Sequence, residues 1–164
     1  MTIENSRDEV LEERSDPRAA FVGHSLETPW DRLHLAYFTG YAMWTYLTQP
    51  FSWLLPGVEV EELDPWSEQD KTWRRLRVVY PADIATHSAE NLYYLDDRGL
   101  IRRHDYTTEV LGSTTPAAHY AFDHQAFDGV QVPTRRRVHL VGADGVVMPE
   151  PVVVSIDVDD VRFE

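Results

Sequence analysis

The side chains best suited to chemistry fall into a few short runs of a chain that carries seven histidines and no cysteine. The densest is Arg102-Arg103-His104-Asp105-Tyr106. On a strand alternate side chains share a face, so His104 and Tyr106 lie with Leu100, while Asp105 lies with Ile101 and Arg103. Turned into an apolar interior, His104 and Tyr106 form an acid/base pair, the histidine tuned near neutrality and the phenol acting as donor. Turned outward, the run is a charged exterior face and His104 is simply solvated. A second run puts His119, Ala121 and Asp123 on one face, and Tyr120, Phe122 and His124 on the other. Asp123 lies about 13 Å along the strand from His119, so any partner of His119 must come from a neighbouring strand. His87, in the loop after Pro81, is placed to cap the mouth of a barrel.

Arg135-Arg136-Arg137 is the one unbroken run of three cations. Alternation groups Arg136 with Val138 and Leu140, the inward set, and sends Arg135 and Arg137 outward. An inward guanidinium needs an anion, either a ligand carboxylate or phosphate or an acid of the protein. With 28 acidic residues in the chain, an internal ion pair is the expected arrangement. Tyr37, Tyr41, Trp44 and Tyr46 on a helix, and Tyr94 on a strand, are the aromatic side chains placed to line a substrate cavity; the alternative is plain core. The histidines form neither an HxH pair nor an HExxH motif, so no metal is expected. There is no P-loop, dinucleotide fingerprint or nucleophile elbow, which disfavours nucleotide-dependent and serine-hydrolase chemistry and leaves no cofactor to expect.

These residues must be positioned by the rest of the chain. Pro29 to Thr48 is apolar on almost every side, and a helix without a polar face has to be enclosed. Its start reads as Thr28 at the N-cap, Pro29 at the first helical position and Asp31 in the first turn; Pro50 ends it near Thr48. Gly40 sits mid-helix, which predicts either close approach of a neighbouring backbone or room for a ligand. Strands are predicted at Val58–Leu63, Trp73–Tyr80, Asn91–Leu95, Leu100–Val110, Ala118–His124, Val130–Val141 and Val152–Phe163, with a polar loop around Trp66. Asp96-Asp97-Arg98-Gly99 supplies a hairpin turn, and Pro133 predicts a bulge or an edge position. Short turns between successive strands imply an antiparallel meander. The fold class is therefore α+β: a strongly curved antiparallel sheet, half-barrel or barrel, around one long apolar helix. Residues 1–20 read as a mobile acidic tail with a helical turn near Asp8 to Arg14, and residues 21–164 as one domain.

The formal net charge of -13 argues against nucleic acid and against an anionic membrane surface. The uncharged run from Leu35 to Phe51 is shorter than the roughly 20 residues of a membrane span. The N-terminus has no basic segment followed by an apolar core, so a cytoplasmic location is expected. A hydrophobic small molecule is the expected partner, and a homodimer is compatible with the sequence.

The phrases YYLDDRGLIRR, FDGVQVPTRRRV and VVVSIDVDDVRFE resemble the strand-turn-strand phrases of the lipoprotein-carrier half-barrel superfamily, over about 75 residues. The resemblance implies a curved antiparallel sheet wrapping a helix around an apolar, acyl-binding cavity. The export signal and lipidation cysteine of such carriers are missing, so their periplasmic role is not implied. Three functions remain: a cofactor-independent cyclase, isomerase or dehydratase acting through His104, Tyr106, His119 or His87; a carrier of a lipid-like molecule; and a structural or partner-binding domain.

Overall fold

The computed structural model describes residues 1–25 and 27–163. Among the described residues the chain forms one α-helix, a seven-stranded antiparallel sheet and a small hairpin. The hairpin pairs β1 (Thr2–Glu4) with β2 (Val10–Glu13). Strand β2 runs where a helical turn is predicted, and salt bridges from Arg14 to Asp31 (2.6 Å) and from Arg32 to Glu12 (2.9 Å) tie this segment to the helix.

The sheet is a meander in chain order: β3 (Glu59–Glu68), β4 (Lys71–Val79), β5 (Glu90–Leu95), β6 (Ile101–Thr107), β7 (Pro116–Phe127), β8 (Val130–Leu140) and β9 (Val154–Asp157). It is an open sheet, with β3 and β9 as its edges. Strand β3 runs through the predicted loop around Trp66, because an irregularity between Leu63 and Trp66 absorbs Pro65 and lets pairing with β4 resume. The β5–β6 turn has the expected chemistry: Asp96 Oδ1 accepts from the amides of Arg98 (3.0 Å) and Leu100 (2.9 Å), and Gly99 takes φ +78°. Pro133 lies opposite His124 of β7, in the part of β8 beyond its pairing with β9.

Helix α1 spans Arg32–Thr48. Its N-cap is Asp31, not Thr28. The Asp31 carboxylate accepts from the His34 amide (2.8 Å), and His34 Nδ1 accepts from the Asp31 amide (3.2 Å), a reciprocal cap. Thr28 instead accepts from Ser25. At the other end Gln49 turns extended before Pro50, as expected.

The expectation of an enclosed rod is corrected. Leu33, His34, Tyr41, Ala42, Thr45 and Tyr46 are buried, but Leu35 (58% exposed), Leu47 (42%) and Trp44 (38%) face outward. An open sheet covers a helix from one side only, so the apolar sequence on the far side stays wet. Gly40 is on that far side, and a Cβ there would meet nothing within 4 Å, so no neighbouring backbone approaches it closely.

Between α1 and the sheet, Tyr41, Ala42 and Tyr46 pack with Phe21, Tyr106, Val110, Leu111, Ala117 and Val138. Val154 and Ile156 of β9 join this core, as their alternation predicts, whereas Val152 is exposed. A second cluster, Leu76, Val78, Tyr80, Tyr93 and Leu95, packs with Trp53 of the turn after the helix.

Candidate functional site

The helix-facing side of the sheet carries an unusual density of polar side chains. Cross-strand register sets it. His104 on β6 lies directly opposite Tyr93 on β5 and His119 on β7. Tyr106, two residues on, shares the face, and Arg136 enters from β8 opposite Ala121. His87 arrives from the β4–β5 loop, whose backbone is held by Glu109 N donating to His87 O (3.0 Å) and Arg18 donating to Thr86 O (3.3 Å). Helix α1 closes the group with Tyr41 and Tyr46. All of these side chains are buried.

Two sets of contacts organise the cluster. In the first, His87 Nδ1 meets the Tyr41 hydroxyl (3.0 Å), His87 Nε2 meets the Tyr46 hydroxyl (2.8 Å), and Tyr46 meets the Tyr106 hydroxyl (2.9 Å). The His87 ring also stacks on Tyr106, with centroids 4.3 Å apart. In the second, His104 Nε2 bonds Asn91 Oδ1 (2.8 Å) while its ring stacks on Tyr93 (4.2 Å). Arg136 donates to the Tyr46 carbonyl (2.8 Å) and approaches His119 Nε2 (3.5 Å).

Burial sets the charge state. It pushes His87 down to about 3, with Arg18 assisting. Burial also holds His104 and His119 well below the usual imidazole range, helped by Arg136 and the neighbouring histidines. Tyr46 is pushed up to about 12 and Tyr106 well above its ordinary range, again by burial first. Arg136 falls to about 10 and stays a cation at neutral pH. The cluster is thus one positive charge among neutral donors and acceptors.

Several sequence expectations change here. His104 is not tuned near neutrality, and it does not hydrogen-bond Tyr106: their rings lie 4.7 Å apart, and each has another partner. Nor does Arg136 form an internal ion pair. Among the described residues no carboxylate lies within 4.0 Å of it, because the acids of the flanking strands, Asp123 on β7 and Asp157 on β9, pair with Arg135 and Arg137 on the opposite face. Of the expected substrate-lining aromatics, Tyr41 is central and Tyr37 packs beside it (5.3 Å). Trp44 is on the wet side of α1. Tyr94 lies on the other face of the sheet, where its hydroxyl donates to Asp105 (3.0 Å). Tyr46, named at the sequence level only as a lining aromatic, is the hub of the network, and Asn91 was not singled out.

That other face holds a second polar centre which the sequence pattern did not reveal. The Arg103 guanidinium pairs with Asp105 (2.7 Å) and with Glu68, and lies over the rings of Tyr94 (5.0 Å) and Tyr120 (5.5 Å). Tyr120 donates to Glu68 (2.7 Å). Glu68, Arg103 and Tyr120 line an open groove of about 1050 Å³ between the β3–β4 hairpin and the segment after β8. Its inner charges are mutually satisfied.

Among the described residues no three histidine or carboxylate side chains gather as a metal site, and no helix is long and apolar enough to cross a membrane. No protein-family model, no curated protein and no solved structure matches this chain.

Proposed function

We propose that the protein is a cofactor-independent enzyme, an isomerase, cyclase or dehydratase, acting on a hydrophobic small molecule at the face between α1 and the sheet. The observation that carries this reading is the continuous chain Tyr41–His87–Tyr46–Tyr106. A neutral imidazole has one N–H and one bare nitrogen. With the proton on Nε2, Tyr41 donates to His87, His87 to Tyr46 and Tyr46 to Tyr106, which leaves the Tyr106 proton free. With the proton on Nδ1, every bond reverses and the free proton is on Tyr41. The two arrangements differ by a proton shifted along the chain, with no ion left behind. Such a wire can deliver a proton at one end and collect it at the other, the service an isomerisation or dehydration requires. The curved half-barrel form of the sheet belongs to this proposal; it is supported by α1 and its following turn touching β5 through Gln49 and Tyr93, β6 through Tyr106 and β8 through Arg136.

The test is His87→Gln. Glutamine keeps a donor and an acceptor but cannot exchange them. Wild type and variant are each incubated with a small-molecule extract of the producing cells, and mass spectrometry follows what is consumed. The expected result is a compound that wild type alone converts, with the variant slower by about 10²- to 10⁴-fold. Equal conversion by both would refute the wire. A partner-binding role is the second reading, favoured by Leu35, Leu47, Phe51 and Leu54 exposed along α1 and the turn after it.

A further inference from the structure

Arg136 is 4% exposed and, among the described residues, has no acidic partner in a chain with 28 acids. The comparably buried Arg103 has two. A buried cation without a counter-charge is costly and needs an explanation. Three atoms of the cluster are also closed off from solvent without any hydrogen-bond partner: Arg136 Nε, His119 Nδ1 and His104 Nδ1.

The tautomers follow from the neighbours. A guanidinium only donates, so His119 Nε2 is the acceptor in its contact with Arg136, and the ring proton sits on Nδ1. Asn91 donates through Nδ2 to Ser88 O (2.9 Å), so its Oδ1 accepts from His104 Nε2–H, and His104 Nδ1 is bare. The unsatisfied set is therefore two donors, one acceptor and one positive charge. The two imidazole centroids are 6.0 Å apart, within the span of one small ligand. Water can satisfy the donors and the acceptor, but it leaves the charge.

We propose that this site takes a small hydroxy-carboxylate, its carboxylate held by Arg136 Nε–H and His119 Nδ1–H and its hydroxyl donating to His104 Nδ1. The assignment rests on the reading of the cluster as a substrate site and adds the substrate's class: an apolar body bearing one carboxylate and a nearby hydroxyl. Phosphate fits less well, since a dianion would leave a net negative charge beside one guanidinium in a buried setting.

The test titrates 3-hydroxybutyrate, butyrate and the neutral 3-hydroxybutyramide into wild type, Arg136→Met and His104→Phe at pH 7.5, by calorimetry and thermal shift. The expected order on wild type is 3-hydroxybutyrate, then butyrate, with no binding of the amide. Arg136→Met should weaken the acid by roughly 10- to 150-fold, the usual worth of a charged hydrogen bond. His104→Phe should erase the preference for the hydroxylated acid. The methionine variant loses an uncompensated charge but also the donor to the Tyr46 carbonyl, whose i+4 residue, Pro50, has no N–H, so it should melt lower by less than Arg103→Ala does. A fall as large as that of Arg103→Ala would make the guanidinium structural and overturn the proposal. So would equal binding of acid and amide, unchanged binding by Arg136→Met, or water at the three atoms and no binding of any probe. Binding of the acids without turnover of any compound would leave the anion site standing and remove the catalytic reading. Turnover untouched by Arg136→Met would remove the anion site and leave the catalytic reading.

Discussion

Three histidines held neutral in one buried cluster make folding sensitive to mild acid. His87, His104 and His119 have folded pKa values depressed below the ordinary 6.5 by burial, His87 to about 3 and the other two well below their normal range. In the unfolded chain each takes up a proton as the pH falls below about 6.5, while the folded chain refuses it. The unfolded state then binds more protons, so stability is fully present above that pH and is lost on acidification until the folded sites themselves titrate, near pH 3 for His87. At pH 5.5 an unfolded histidine of pKa 6.5 withdraws about 1.4 kcal/mol, so the three together withdraw about 4 kcal/mol relative to pH 7.5. Asp31, held at about 2 chiefly by its hydrogen bond from Arg14, begins to matter only below its ordinary value of 3.8; His124, lowered by partial burial, adds to the loss, and Asp105, raised by burial, opposes it. The assay is urea denaturation at pH 7.5, 6.5 and 5.5 with a common slope. A loss of about 4 kcal/mol out of a typical 5–15 is readily seen. His119→Gln should reduce the pH dependence by about a third. A wild-type stability flat between pH 7.5 and 5.5 would show that the imidazoles accept protons in the folded state, and the neutral-cluster picture would be wrong.

Two further outcomes follow from burial and packing. Gly40→Ala should raise stability by about 1 kcal/mol, the helix-propensity gain, because the added methyl enters open space; thermal denaturation reads this, and a loss would mean that the far face of α1 is covered. Arg103→Ala should cost about 3–5 kcal/mol by stranding Glu68 and Asp105, more than Arg136→Met, which strands only the Tyr46 carbonyl. Denaturant midpoints of the two variants decide it, and equal losses would erase the distinction between a compensated and an uncompensated buried guanidinium.

Much of the site was legible from strand alternation alone. His104 with Tyr106, and Arg136 with Val138, keep a period of two, and the structure keeps each pair on one face; for Arg136 it is the inward face that alternation assigned, while for His104 and Tyr106 the pattern left inward and outward open. Ile101 shows where the pattern breaks. Leu95 lies opposite Ile101 but Tyr94 lies opposite Arg103, so Arg102 is an extra residue in β6. Ile101 therefore packs with Tyr93 and Leu95, on the face of His104, and not with Arg103 and Asp105 as strict alternation predicts. Composition carries no sign of that insertion, whereas Tyr94 faces away by plain alternation with Tyr93 and Leu95. The helix failed for the opposite reason: apolar residues on every side leave no phase to read, so Trp44 could not be told from Tyr46. The absence of an acid near Arg136 among the described residues was also out of reach, since it depends on which face the two flanking strands give their carboxylates.

The central claim, that the cluster beneath α1 exists to hold a ligand, is met most directly by native mass spectrometry of wild type and Arg136→Met purified side by side. The account predicts a small acidic adduct on wild type that is missing from the variant. Bare protein in both, or the same adduct on both, would contradict it.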